Sequence, residues 1–525
     1  PDHPCQIQGD RIVTWGDFNR RASALTSDML DAGLTHQSKV AAYLQNCPEY
    51  LETYVAAFKG GFVPVNTNYR YGPDEITYLF DNAEAEAVVF HSTFAGLVDQ
   101  VRAGLPRVKR WYCVVESGDV VPTWAQDYDA VVGRDAAHRV EGPWGRSGDD
   151  LLLLYTGGTT GMPKGVMWRQ DDLFNVVGAG GNVALGIPPG ESVEELVGRL
   201  DPAGRGLVVL SACPLMHGTG QFTSLIAMNL GGAAVTLPSR SFDVGELFAS
   251  IERHRVQTLV IVGQAFAGPM LEYLNSNPQR HDLSSLIMIT SSGVMWSQEN
   301  KDGLLRHLPH VMLFDSYGSS EAVGMGGSIS RAGETATKTA TFALGPTCAV
   351  FTEDGRRVAA GSGERGLVAV GGFIPMGYYR DEVKSAQTFR IFEGQRWSVP
   401  GDWAEIAADG SLILLGRGSV CINTGGEKVF PEEVEEALKK HSSVRDAVAV
   451  GIPDDRFGET ICAVVEAAPG EAPDLATLSD HVKSHLAAYK APRHLVLIDT
   501  IGRAPNGKVD YKRLKTHAIE RLGKG

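Results

Sequence analysis

The chain has 525 residues, enough for several hydrophobic cores, because single cores stop growing near ~250–300 residues. Its 62 acidic and 48 basic side chains leave a net charge of −14, which argues against nonspecific binding to nucleic acid or anionic membrane but allows a local basic pocket. Seven scattered cysteines without a CxxC pair argue against a disulfide framework or a zinc site and for a reducing compartment, and no apolar run reaches the ~20 residues of a membrane span. No signal peptide is visible, and with the cysteine usage the expected location is cytoplasmic.

Up to about residue 140, short apolar runs alternate with amphipathic ones. Strands are predicted at 40–44, 62–65 and 87–90, and helices at 48–59 and 73–82. This β-α-β rhythm implies a mostly parallel sheet covered by helices. A polar connector, 141–150, leads to LLLLYTGGTTGMPKGVMW at 151–168. The apolar opening reads as a buried strand, and 166–168 reads as another. Between them Thr156, Gly157, Gly158, Thr159, Thr160 and Gly161 carry little bulk, so backbone N–H groups can turn toward an anion. Threonine hydroxyls add donors, and Lys164 adds the counter-charge. The run is suited to hold a polyphosphate. It is not the Walker loop, because Lys164 lies between Pro163 and Gly165 rather than between Gly and Ser/Thr.

Beyond it, Asp171 and Asp172 are candidates to cap a helix running into Val177. Residues 180–206, rich in Gly, Pro and charge, read as an excursion from the core. A strand at 208–210 leads into Cys213-Pro214-Leu215-Met216-His217-Gly218. Strands at 256–262 and 286–290 follow, the second ending in Ser291-Ser292-Gly293-Val294. A strand at 311–314 precedes Asp315-Ser316-Tyr317-Gly318-Ser319-Ser320-Glu321, where a ring can stack on a base, hydroxyls can meet phosphate and a carboxylate can hold Mg²⁺. Residues 345–379 read as an antiparallel subdomain. Gly401-Asp402 and Gly416-Arg417-Gly418-Ser419 come next, then a glycine loop at 423–428 and a charged helix at 431–440. The remainder reads as a small α/β unit, with strands at 447–450, 463–466 and 494–498, a helix at 475–486, and a closing Asn506-Gly507-Lys508 turn.

Taken together, these motifs resemble the adenylate-forming superfamily: acyl-CoA synthetases, luciferases and adenylation domains of peptide synthetases. YTGGTTGMPKG resembles its phosphate loop. YGSSE resembles its Tyr-Gly-x-Thr-Glu motif, with Ser320 where threonine is common. Thr14-Trp15-Gly16-Asp17-Phe18 resembles its N-terminal element. YTGGTTGMPKGVMWRQ and GRGSVCINTGGEKVFPEEVE look closer to bacterial acyl-CoA synthetases that act on bulky carboxylates, such as steroid side-chain or diterpenoid acids.

The resemblance implies an α/β fold. A large N-terminal domain of stacked, mostly parallel sheets with a β-rich subdomain would span 1–416, a hinge 417–419, and a small mobile α+β domain 420–525. It implies ATP, Mg²⁺ and CoA as ligands, and a small carboxylic acid as substrate, with a homodimer as a candidate assembly. It assigns Lys508, Lys164, His217 and Glu321 to catalysis. Nucleotide binding would draw on Thr156 to Gly161, Lys164, Gly293, Asp315, Ser316, Tyr317, Gly318, Ser319, Ser320, Asp402, Arg417 and Lys508, and Glu321 would take the metal. Met216, His217, Gln264, Gly293 and Val294 would line the acyl pocket. Ser419 would be the hinge, and Gly425, Gly426 and Lys428 would face CoA. A carrier-protein acceptor, a half-reaction enzyme and a non-catalytic nucleotide-binding relative stay open. So does the acid, bulky or fatty: Gly218, Gly220, Ala265, Ala267 and Gly268 suit a wide ligand but equally permit tight packing.

Overall fold

The computed structural model describes every residue except 117, 157–161, 201–205, 295, 335–340, 425–426, 455–457, 487, 505–506 and 524–525. Continuous runs of Val, Ala and Leu build the first sheet, whose central strands are buried on both faces as parallel strands under helices must be. Its described strands run in the order Gly377–Tyr378, Lys164–Arg169, Leu151–Thr156, Val63–Asn66, Lys39–Tyr43, Ala85–His91, Arg110–Val114, Gln126–Asp127. From Leu151–Thr156 onward the pairing is parallel; the first two strands are antiparallel additions. The helix Pro48–Gly60 begins on a proline and ends at Gly61 in the left-handed region, φ 66°, the asymmetry expected of helix ends.

A second parallel set packs around its own aliphatic core: Ala233–Thr236, Val208–Ser211, Thr258–Ile261, Met288–Ser292 and Met312–Tyr317. The ladder then turns antiparallel through Gly326–Ser330 and Thr341–Leu344. It runs on into the β-rich part, with Leu412–Arg417, Asp402–Ile406 and Arg365–Val370. After Arg417 the chain leaves this sheet, and Ile422–Thr424 opens a separate one with Glu427–Val429, Val444–Asp454, Gly458–Ala467 and His494–Leu497. Helices Pro431–Lys439 and Leu475–His485 cover one face of that small sheet, and Tyr511–Leu522 covers the other. The molecule is thus an α/β protein with a large N-terminal part and a small C-terminal α+β unit.

Several local expectations need correction. Asp171 and Asp172 are not caps: the helix Gln170–Val176 starts after Arg169, and both acids lie in its first turn, where they favour the positive helix end. Of the stretch expected as a loop at 423–428, the flanks Ile422–Thr424 and Glu427–Val429 pair as antiparallel strands, and residues 425–426 lie outside the described residues. The strand expected at 447–450 extends over Val444–Asp454, since its long antiparallel partner continues the ladder past the apolar residues. The excursion carries structure of its own, a short helix Val193–Gly198. All seven cysteines are free thiols. Among the described residues no helix is long and apolar enough to cross a membrane.

Candidate active site

The candidate residues gather where parallel strands end, the usual place for ligands in open α/β sheets. Leu151–Thr156 and Lys164–Arg169 form an antiparallel pair in which Thr156 faces Lys164. The candidates Gly157, Gly158, Thr159, Thr160 and Gly161 between them lie outside the described residues, as do Gly425 and Gly426. Of Arg417, Ser419 and Lys428 the backbone alone is described. Lys164 Nζ stands 2.5 Å from Asp381 Oδ2 and 5.9 Å from the centre of the Tyr378 ring.

The segment from Cys213 to His217 follows its strand and is held by side chains that substitute for a backbone ladder. Asn46 donates to the Cys213 carbonyl at 2.9 Å and accepts from the Leu215 N–H at 2.7 Å. Asn66, buried at the end of its own strand, donates to the carbonyls of Tyr155 and Met216 at 2.9 and 2.7 Å. Its oxygen accepts from the Tyr155 N–H at 2.5 Å. One amide therefore fixes the strand before the glycine loop relative to the segment carrying His217. Met216 is buried, and His217 immediately precedes the helix Gly218–Asn229.

The His217 ring is half-buried, and its pKa is pushed down to about 4, first by burial and then by the positive charges of Lys508 and Arg70. Lys508 arrives from the C-terminal unit. Gly507 just before it is seated tightly: a Cβ there would stand 2.9 Å from Val294 Cγ2 and 3.6 Å from Val262 Cγ1. At φ 70° Gly507 is also in the region that glycine occupies most easily. Arg503 braces Gly507, donating to both oxygens of Asp446 at 2.6 and 2.8 Å and to the Gly507 carbonyl at 3.3 Å. Val294 follows Gly293, φ 90°, where a Cβ would stand 4.0 Å from Thr219 Oγ1 and from Val262 Cγ1. Gln264 opens the helix Gln264–Ser276 with an exposed side chain that accepts from Ser297 Oγ at 3.1 Å.

On the next strand, Tyr317 stacks on Phe342 with ring centres 5.2 Å apart. Ser316, Gly318, Ser319 and Ser320 follow one another half-buried, with the Ser320 carbonyl accepting from Trp168 Nε1 at 3.0 Å. Glu321 is buried. Its Oε1 accepts from the Tyr378 hydroxyl at 2.8 Å and its carbonyl from Ser398 Oγ at 2.6 Å. Asp315 points elsewhere: its carboxylate pairs with buried Lys301 at 2.9 Å, and burial pushes it up against the pull of that lysine. Asp402 is buried directly across the ladder from Arg417, next to the point where the chain leaves the large sheet.

The structure thus brings Lys164, Glu321, Asp381 and Tyr378 into one group, and His217, Val294 and Lys508 into another. Sequence reasoning missed Asn46, Asn66, Tyr378, Asp381 and Arg503. A polar residue closing a buried strand was a signal for Asn66, and an aspartate before a helix was one for Asp381. Neither names a partner far along the chain.

Residues 1–379 match the family model described as AMP-binding enzyme, and 433–508 match the AMP-binding enzyme C-terminal domain. A medium/long-chain-fatty-acid–CoA/3-oxocholest-4-en-26-oate–CoA ligase of Mycolicibacterium smegmatis is 39% identical over 99% of this chain and 94% of its own length. A 3-oxocholest-4-en-26-oate–CoA ligase of Rhodococcus rhodochrous is 39% identical over 98% of this chain and 93% of its own length. Among solved structures, the anthranilate CoA ligase in complex with anthranoyl-AMP shares the fold, with a TM-score of 0.82, 20% identity, and coverage of 99% of this chain and 95% of that one. By sequence along nearly its whole length, the chain belongs to the AMP-binding enzyme family.

Proposed function

We propose that the protein is an AMP-forming acyl-CoA ligase. It joins a carboxylate to the α-phosphorus of ATP, releasing pyrophosphate, and then passes the acyl group to the CoA thiol, releasing AMP. The acid we favour is a medium- or long-chain fatty acid or a steroid side-chain carboxylate, the classes named for relatives 39% identical along nearly the whole chain. The observation that supports the reading is the seating of Gly507 against Val294 and Val262, with Lys508 close enough to depress His217.

A free carboxylate is a poor acyl donor because oxide would have to leave; the adenylate replaces that group with AMP. The step needs aligned reactants and neutralised charge more than covalent help from the protein. Lys508 would hold the carboxylate and the α-phosphate, beside a His217 that stays neutral near pH 7. Lys164 would meet the outer phosphates, Tyr317 would stack on adenine, and Asp402 would accept from the ribose hydroxyls. Glu321 suits Mg²⁺: it is buried, and one Tyr378 hydrogen bond leaves acceptor capacity, while Mg²⁺ takes few protein oxygens and keeps water and phosphate. When bound, that ion would neutralise charge on the phosphates. Met216, Gln264, Gly293 and Val294 would border the acyl group. For the thiol step we infer that 420–525 turns about 417–419, withdrawing Lys508 and bringing Gly425, Gly426 and Lys428 toward CoA.

The test is acid-dependent ATP–pyrophosphate exchange over fatty, aryl, steroid and diterpenoid acids, followed by CoA consumption with whichever acid responds. Exchange with fatty or steroid acids, then loss of free CoA thiol, is the expected result. ATP binding without exchange on any of these acids would overturn it.

A further inference from the structure

Lys164 is flexible and only partly enclosed, so its own strand does not aim its ammonium group. What aims it is Asp381, 217 residues away in sequence, and the two carboxylate oxygens do different work. Oδ1 accepts from the Lys384 N–H at 2.9 Å and caps the helix Glu382–Thr388; Oδ2 takes Lys164 Nζ at 2.5 Å. The segment before it is laid along the lysine's strand. Gly377 and Tyr378 pair with Met167 and Val166, and the Tyr379 N–H donates to the Gly165 carbonyl at 2.7 Å. Arg380 then adopts φ 55°, a left-handed conformation unusual for a side chain of that size, and this turns Asp381 back to the lysine. Tyr378 lies under the same ammonium and donates to Glu321. One short segment thus sets two groups that sequence places 157 residues apart, Lys164 and Glu321.

We propose that Asp381 is a positioning residue for the adenylation step. Its Oδ2 holds the Lys164 ammonium at the start of the strand Lys164–Arg169, leaving two of its three N–H donors for phosphate. It has no part in the thiol step. The proposal rests on the reading of Lys164 as a phosphate ligand.

The test separates the capping oxygen from the pairing oxygen. Asp381→Asn keeps a capping residue of equal rank but presents an amide to Lys164. Asp381→Ser, another capping residue, is measured alongside it in case the asparagine variant folds poorly. Each is compared with Lys164→Ala and with the double variant in pyrophosphate exchange, in thioester formation from supplied acyl adenylate, and in thermal melting. We expect Asp381→Asn to melt like the parent and to lose exchange on the order of tenfold or more, mainly in kcat rather than in the KM for ATP. It should retain the thiol step and add nothing to the loss in Lys164→Ala. Full exchange in Asp381→Asn and Asp381→Ser, with Lys164→Ala impaired, would overturn the proposal and leave the role of Lys164 standing. No effect of Lys164→Ala would overturn both. Equal loss of both half-reactions with a lowered melting temperature would reduce Asp381 to a helix cap.

Discussion

His217 illustrates how much one ring depends on its surroundings. Burial first, then the charges of Lys508 and Arg70, lowers its pKa to about 4, against about 6.5 for an ordinary histidine. Below about pH 6.5 the unfolded chain binds a proton that the folded chain still refuses. The His217 share of stability is therefore intact above that pH, falls as pH drops toward about 4, and falls no further below it. His217→Gln removes the titration. Its melting temperature relative to the parent should be constant above about pH 7 and should rise steadily between pH 6.5 and 4. Thermal unfolding over that range checks this; a pH-independent difference would show that the ring is not held neutral.

At the scale of elements, the decisive links are side-chain amides that behave like backbone. Asn66 satisfies the carbonyls of Tyr155 and Met216 and the N–H of Tyr155, so the strand Leu151–Thr156 and the segment entering the helix Gly218–Asn229 share one register. Asn66→Ala strands these buried groups at a cost of about 2–4 kcal/mol. Because it also loosens the strand leading to the glycine loop and the residue before His217, adenylation should fall by more than the thiol step. Denaturant unfolding and the two half-reaction rates, measured on the same preparation, test it; unchanged stability would mean that water replaces the amide. Asn66 was readable as a polar end to the strand Val63–Asn66, but its two clients lie 89 and 150 residues away, and no local pattern encodes that distance.

For the whole molecule, Gly507 packs close to Val294 and Val262, and under the proposed mechanism adenylation would depend on where the C-terminal unit sits. Lys508→Ala should lose about 3–4 kcal/mol of transition-state stabilisation, a fall of roughly 100- to 1,000-fold in pyrophosphate exchange. Thioester formation from supplied acyl adenylate should change little, because the proposed second arrangement carries Lys508 away. Rates of the two half-reactions read this directly, and equal losses in both would refute the alternation between arrangements.

By itself the sequence determined the fold class, the order of most strands and helices, and the run of motifs from Tyr155 to Lys508. Those features are local: apolar periodicity, glycine content and charge at fixed spacing are readable without neighbours. Tertiary structure alone decided that Asp315 faces Lys301, that Asp381 holds Lys164, and that Asn66 ties Tyr155 to Met216. Each is a choice of partner between polar groups distant along the chain. Such a choice is made when sheets and helices bring them together out of water, where a buried polar group must find a partner, so the pairing follows from the packing rather than from any run of residues.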